Sequence, residues 1–501
     1  LEPASGISLD ACRRIEMDDL AFSDATTLAG RIAAKEISSV ELLEHYVSRV
    51  EKYNPEINAI VCQQLEKARK RAGEADEATA RGESWGPLHG LPMTVKESYN
   101  IAGLPTTWGN PLLKDNIAED DAVACVRLQE AGAIIFGKTN VPIHLADFQS
   151  YNDVYGTCNN PHDLSRGPGG SSGGAAAAMA AGLSGLEMGS DIGGSIRNPA
   201  HYCGVFGHKP TWGILPIRGH ALPGVLTPSD ISVIGPLARS AEDLALVMDI
   251  VGGADEMHVP GWSLDLPVAK SSNFADYRIA VWPNDERAPV DQSVSARVLK
   301  VAELAETLGA TVDYDARPEI DATESHRIYE SLLHSAMSAR QPDEVFEHNW
   351  KRNQSLAEDD MSDLARVTRA STLFYREWHL ANERRTHLRW AWHKFFQDWD
   401  ILLTPTCVTA AFPHDQNPRT TERVLVVNNE PRPYFEQVFW AGLTGVSYLP
   451  STILPTGPDD QGLPIGVQIV GGEMRDLQTI EFSRMVHEEL GGFVPAPNYR
   501  D

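Results

Sequence analysis

Between residues 23 and 53 apolar side chains recur at helical spacing, at Leu28, Ile32, Val40, Leu43, Val47 and Val50. A stripe three to four residues apart buries one face of a helix, so this stretch predicts a helical N-terminal layer, with Ser39 placed to cap its second half. Residues 57–62 form a short β-prone run, followed by a charged helix over about 64–81 and a glycine- and proline-containing segment over 82–92. Short apolar runs at 93–95 and 133–137 then alternate with a helical stretch at 122–131, a pattern that argues for α/β. Further on, residues 277–282 read as a strand feeding a helix over 293–308, after a looser stretch at 253–274. Residues 319–399 are largely helical and aromatic-rich, and 401–403 and 465–470 read as buried strands.

Residues 167–174 are the densest glycine-serine cluster, and an alanine-rich run over 175–181 follows directly. A linker would stay polar, whereas this one opens a closely packed helix, so a loop-to-helix junction is the better reading. A second glycine group over 189–194 leads into Ser195.

Composition excludes several classes. The 69 acidic residues against 43 Lys and Arg leave a net charge of -26, which repels phosphate backbones and anionic lipid headgroups. Neither nucleic acid nor membrane is expected as a partner, and no stretch approaches the roughly 18 apolar residues of a membrane span. The N-terminal Leu-Glu-Pro-Ala-Ser-Gly lacks the apolar run of a signal peptide. The six cysteines (Cys12, Cys62, Cys125, Cys158, Cys203, Cys407) are scattered without a Cys-x-x-Cys pair, which argues against a disulfide framework or zinc ribbon. The expectation is a soluble, cytoplasmic protein.

Glycine-rich loops can turn several backbone N–H groups toward one point, which could hold a phosphate or an oxyanion. No Lys follows either cluster at the offset of a nucleotide-binding loop, so an oxyanion hole beside a serine fits better. Ser195 lies in Gly-Gly-Ser-Ile-Arg, and Arg197 occupies the place where a Gly-x-Ser-x-Gly elbow needs glycine, which disfavours a Ser-His-Asp hydrolase. No Ser-x-x-Lys occurs, and none of the sixteen histidines has metal-ligand spacing. What remains is a serine nucleophile whose base is not obviously histidine.

Five segments resemble the amidase-signature family: His-Gly-Leu-Pro-Met-Thr-Val-Lys-Glu-Ser (89–98), Gly-Leu-Pro-Thr-Thr-Trp-Gly (103–109), the double glycine-serine block (167–207), Leu-Leu-Thr-Pro-Thr (402–406) and Gly-Leu-Pro-Ile-Gly-Val-Gln-Ile-Val-Gly (462–471). They run in the family's order, with Ser171 and Ser195 24 residues apart. The resemblance implies a single α/β/α domain over 1–501 with a large central mixed sheet, a catalytic core at about 86–212, and a variable helical segment at about 319–440 that covers the substrate. It implies Ser195 as nucleophile, Ser171 as bridging serine and Lys96 as base. The N–H groups of Ile192, Gly193, Gly194 and Ser195 would form the oxyanion hole, with Ser172, Asp191 and Arg197 in support. Phe148 and Gln149 precede a stretch where the family varies its pocket and are candidates for touching substrate.

A lysine accepts a proton only when neutral, so the base must be buried. Glu97 would point to the opposite strand face from Lys96. The resemblance requires no metal or organic cofactor. The expected activity is hydrolysis of carboxylic amides, with esters and carbamates (urethanes) as further substrates, by a monomer or homodimer; the alternative is the glutaminase subunit of a tRNA-dependent amidotransferase. The aromatic side chains of 319–399 read first as core packing, and second as part of an apolar substrate wall.

Overall fold

The computed structural model describes residues 20–500; Cys12 and the N-terminal segment without an apolar run lie outside the described residues. The N-terminal stripe becomes two helices, Ala25–Ala33 and Ser39–Ile57. The cap of the second is Ser38 rather than Ser39. Ser38 Oγ accepts the Glu41 N–H at 3.1 Å and the Glu41 carboxylate accepts the Ser38 N–H at 2.9 Å, a reciprocal pair that needs Ser and Glu three residues apart. Ser39 is already helical, and its N–H donates to Asp76 at 2.6 Å.

Two sheets carry the chain. A three-stranded sheet runs in the order Ile60–Gln63, Ile134–Thr139, Pro92–Lys96. An eight-stranded sheet runs Thr311–Asp313, Arg278–Val281, Ile401–Pro405, Pro464–Val470, Ser451–Pro458, Phe206–Lys209, Val233–Ala238, Glu187–Asp191. Its first three strands are parallel and the rest antiparallel, which makes it the large mixed sheet expected. The Thr94 N–H reaches the Leu186 carbonyl at 3.3 Å, so the strand Pro92–Lys96 abuts the edge strand Glu187–Asp191 and the two sheets meet at a seam.

Side chains alternate across a strand, and here both faces are apolar. Ile279, Val281, Ile401 and Leu403 join one buried cluster with Val298 and Val301 of helix Gln292–Thr307 and Met485 of helix Asp476–Leu490. Ala280 and Leu402, the intervening residues, join another with Tyr329, Trp392 and Trp440. Helices therefore cover both faces, giving an α/β fold in layers. Helix Gly173–Ala180 is buried along its whole length, and only a small residue fits at Gly174, where a Cβ would stand 2.3 Å from the Asn140 nitrogen.

The segment after Asp313 is helical as expected, over Ala322–Ser338, Asp343–Ser355, Asp363–Ala370 and Tyr375–Asp398. Its aromatic residues divide: Trp392 and Phe395 are buried in the core, while Phe374, Tyr375 and Trp390 are 62%, 79% and 67% exposed. No helix among the described residues is long and apolar enough to cross a membrane.

Candidate active site

Lys96 ends the strand Pro92–Lys96 and is wholly buried. Its Nζ contacts three serine hydroxyls: Ser171 Oγ at 2.6 Å, Ser172 Oγ at 2.9 Å and Ser190 Oγ at 2.9 Å. Burial holds its pKa well below the ordinary lysine value, against the opposing pull of Asp191 and Glu187. A cation there would lack both water and a direct counter-ion, so the neutral amine is favoured. Glu97 turns away as expected: its carboxylate accepts the Thr107 and Trp108 N–H groups at 2.6 and 2.9 Å and the Tyr155 hydroxyl at 3.0 Å.

Ser171 follows a cis peptide bond to Gly170. Asn198 clasps that unit from both sides, its Oδ1 accepting the Gly170 N–H at 3.0 Å and its Nδ2 donating to the Gly170 carbonyl at 2.7 Å. Ser195 sits on the turn after the strand Glu187–Asp191, and its carbonyl accepts the Ser172 N–H at 3.1 Å. Ser171, Ser190 and Ser195 share one cleft of about 330 Å³. A hollow of about 400 Å³ elsewhere, around His162, Gly204 and Arg500, brings no base to a nucleophile.

The turn into Ser195 is built on Asp191. Its carboxylate accepts the N–H groups of Gly194 at 2.9 Å, Ile196 at 3.1 Å and Arg197 at 3.3 Å, and pairs with the Arg197 guanidinium at 2.9 and 3.0 Å. Burial alone would raise the Asp191 pKa, but Arg197 overrides it and holds the carboxyl well below its ordinary range. Arg197 also donates to the Ala441 carbonyl and Gln468 Oε1, each at 3.0 Å. The four N–H groups expected to receive the oxyanion differ in what they meet. The Gly194 N–H is spent on Asp191, while those of Ile192, Gly193 and Ser195 meet no acceptor among the described residues. Gly194 has a φ of +106°, a backbone state that glycine adopts without a Cβ clash, and so serves the shape of the turn.

The family described as Amidase matches residues 41–480. The chain belongs to the Amidase family. It acts on carbon–nitrogen bonds other than peptide bonds. A glutamyl-tRNA(Gln) amidotransferase chain of Prochlorococcus marinus is 30% identical, over 90% of this chain and 94% of that protein. An acylamidase of Rhodococcus erythropolis is 32% identical, over 91% and 93%. Among solved structures, a bacterial aryl acylamidase of the amidase-signature family superposes with a TM-score of 0.79 at 26% identity, covering 96% of this chain and 98% of that one.

In this amidase the cleft wall has an aliphatic part, with Ile192, Ile217, Leu222, Val225 and Met337, and Trp108, His220, Arg218 and Arg340 also line it. None of the aromatic rings of 319–399 lines the cleft; that segment contributes Ala336, Met337, Arg340, Gln341 and Pro342 instead. Phe148 and Gln149 are not lining residues either. Gln149 is buried, its amide exchanging hydrogen bonds with the Asp415 backbone at 2.7 and 2.9 Å, and Phe148 packs against Tyr434 and Phe435. Burial pushes the Cys407 thiol up to about 12 and the Cys203 thiol well above its ordinary value, so neither is a thiolate at neutral pH.

Several residues at the site were not singled out from the sequence. Ser190 and Asn198 lie inside the glycine-serine block, where nothing in their immediate neighbours sets them apart. Tyr329, whose hydroxyl donates to the Ile192 carbonyl at 3.1 Å, is 137 residues away and carries no local signal. Glu187 lies just before the second glycine group and was not read as part of any element.

Proposed function

We propose that this amidase is a stand-alone hydrolase of small carboxylic amides that works through an acyl-enzyme on Ser195. Neutral Lys96 draws the proton of Ser171, and Ser171 draws that of Ser195, as the Ser195 oxygen attacks the carbonyl carbon. The tetrahedral oxyanion is received by the N–H groups of Ile192, Gly193 and Ser195. Collapse expels the amine, which takes its proton back through Ser171, and water then frees the acyl group by the same relay.

The observation that carries this reading is the Lys96 Nζ surrounded by three hydroxyls, with Ser171 at 2.6 Å. A neutral amine has two N–H donors and one lone pair, which suits donation to Ser172 and Ser190 and acceptance from Ser171. The aliphatic part of the cleft wall favours an apolar acyl or amine group, which extends to aryl and alkyl amides, esters and carbamates. A monomer or homodimer in the cytoplasm, folded as a single domain, completes the proposal.

The second reading, a glutaminase subunit that feeds ammonia to a partner, is favoured by the amidotransferase relative. Glutamine brings a carboxylate that needs a cation. Of the two arginines at the cleft, Arg218 is paired with Asp255 and Glu256, and Arg340 donates to the Thr227 carbonyl at 3.0 Å. The deciding experiment presents the purified chain, without partners, with chromogenic anilides, esters, carbamates and glutamine, and measures amine and ammonia release. Turnover of anilides without glutaminase activity supports the hydrolase; glutamine as the one substrate turned over replaces it with the second reading.

A further inference from the structure

Glu187 is a wholly buried carboxyl that the relay does not use. It lies at the seam between the sheets, and its surroundings can be counted oxygen by oxygen. Glu187 Oε2 is in short contact with Thr94 Oγ1. Thr94 Oγ1 lies 2.9 Å from Ser184 Oγ, and Ser184 Oγ lies 2.9 Å from the Leu186 carbonyl. These are three oxygen–oxygen contacts in a row, and each needs one hydrogen to be attractive. Thr94 and Ser184 supply two. The carbonyl of Leu186 has none to give, so the third comes from the carboxyl.

We infer that Glu187 is held in the resting enzyme as a neutral carboxylic acid, donating to Thr94, which donates to Ser184, which donates to the Leu186 carbonyl, and that it is thereby a positioning residue for the basicity of Lys96. The other oxygen, Oε1, is left as an acceptor and receives the Met188 N–H at 3.2 Å and the Thr139 hydroxyl at 3.4 Å. Thr94 is two residues before Lys96 on the same strand face, and Thr139 is the register partner of Lys96. A negative charge at Glu187 would thus stand beneath the lysine and hold its proton in place. Kept neutral, Glu187 fills that space without a charge.

The titratable groups around the pair agree with a neutral acid. Burial pushes Glu187 up to about 8. Tyr99 and Cys125, which also feel Glu187, are raised by burial and stay neutral. On the lysine side, Asp191 is already matched by Arg197, and burial holds His220 at about 3, so it carries no charge. Lys138 turns elsewhere, to the Pro105 carbonyl and Thr106.

The inference rests on Lys96 being the base, and its test separates the two. Glu187→Gln offers an N–H where the acid has O–H and preserves the hydrogen-bond row, so it should keep the wild-type acidic limb of kcat/KM and lose the infrared carbonyl stretch of a protonated acid at neutral pH. Ser184→Ala frees the Thr94 hydroxyl to donate to Glu187 instead, which favours the carboxylate. The acidic limb should then move to higher pH by about half a unit or more, and the double variant Ser184→Ala, Glu187→Gln should bring it back. Absence of a Glu187-dependent acid band in the wild type, or a limb that moves to lower pH in Glu187→Gln, overturns the inference. If Ser184→Ala does not fold, the band and the Glu187→Gln limb still decide. Near-normal turnover by Lys96→Ala sinks the base assignment instead, and leaves the infrared result standing.

Discussion

Asp191 and Arg197 face each other six residues apart, fully buried, through two hydrogen bonds of 2.9 and 3.0 Å. Between them runs the turn that carries Ser195, so the pair fixes where the nucleophile stands. Removing one member strands the other in a place without water, a loss of about 3–5 kcal/mol for buried pairs. Arg197→Met should lower stability by that order in chemical denaturation and reduce acylation at least as strongly. Because the folded pKa of Asp191 is depressed, the stability it contributes is present above the unfolded carboxyl range and is lost as pH falls toward the folded value.

Covalent labelling tests the nucleophile. A fluorophosphonate should leave one adduct on the peptide that contains Ser195, detectable by mass spectrometry. Labelling that persists in Ser195→Ala would move the role to another serine.

The rate of amide hydrolysis should climb with pH and level off, because only neutral Lys96 can take a proton through Ser171. Lys96→Ala should abolish turnover, and Ser171→Ala should lower it by about two orders of magnitude or more, with the double variant no worse than the first. His220 shares the cleft, yet burial holds it at about 3. His220→Asn should therefore retain the acidic limb, and its disappearance would transfer the base to histidine.

Lys96 also predicts a pH effect on stability. Its folded pKa is depressed, so between that value and the unfolded value of about 10.4 the unfolded chain binds the extra proton. Unfolding free energy of the wild type should rise through that window by about 1.4 kcal/mol per pH unit relative to Lys96→Met. Parallel stability curves for the two proteins would mean that Lys96 is charged in the fold.

Substrate choice should follow the aliphatic wall. Met337 lines the cleft and is 40% exposed, so Met337→Trp fills the mouth without entering the core. We expect kcat/KM for bulky anilides to fall about tenfold or more, a loss near 1.4 kcal/mol, while acylation by a small reagent changes little. An equal loss for both would point to damaged folding.

Much of this was legible from residue order. Periodicity placed the strands and helices up to Thr139, the helices of 319–399, and the strands Arg278–Val281, Ile401–Pro405 and Pro464–Val470, because runs buried on both faces stand out as apolar. The other five strands of the large sheet, Glu187–Asp191, Phe206–Lys209, Val233–Ala238, Thr311–Asp313 and Ser451–Pro458, carry glycine, proline or polar residues and were not read from the pattern. The cap at Ser38 was missed by one residue although Glu41, three positions on, marks it. The glycine-serine blocks pointed to a serine nucleophile at Ser195, while Ser171 and Lys96 entered only through the family resemblance. Gly194 was harder: which N–H points outward depends on Asp191 claiming one of them, a fact of three-dimensional competition. The cleft wall was least legible. Ile217, Leu222 and Met337 are ordinary apolar residues in sequence, whereas the conspicuous rings of Trp392 and Phe395 went to the core.

The strands Thr311–Asp313 and Ile401–Pro405 flank the same strand, Arg278–Val281, and run parallel to it. Two strand spacings, about 10 Å, separate them, and the whole helical excursion from Ala322 to Asp398 is strung between. Its two ends are pinned by the sheet whatever lies between them, and doubling the length of such an excursion adds only about 0.6 kcal/mol of closure entropy. Provided that Tyr329, Trp392 and Phe395 go on covering the sheet, evolution, or an engineer, can therefore reshape the stretch around Met337 like a lens on a fixed camera body, changing what is admitted while the shutter behind it stays in register.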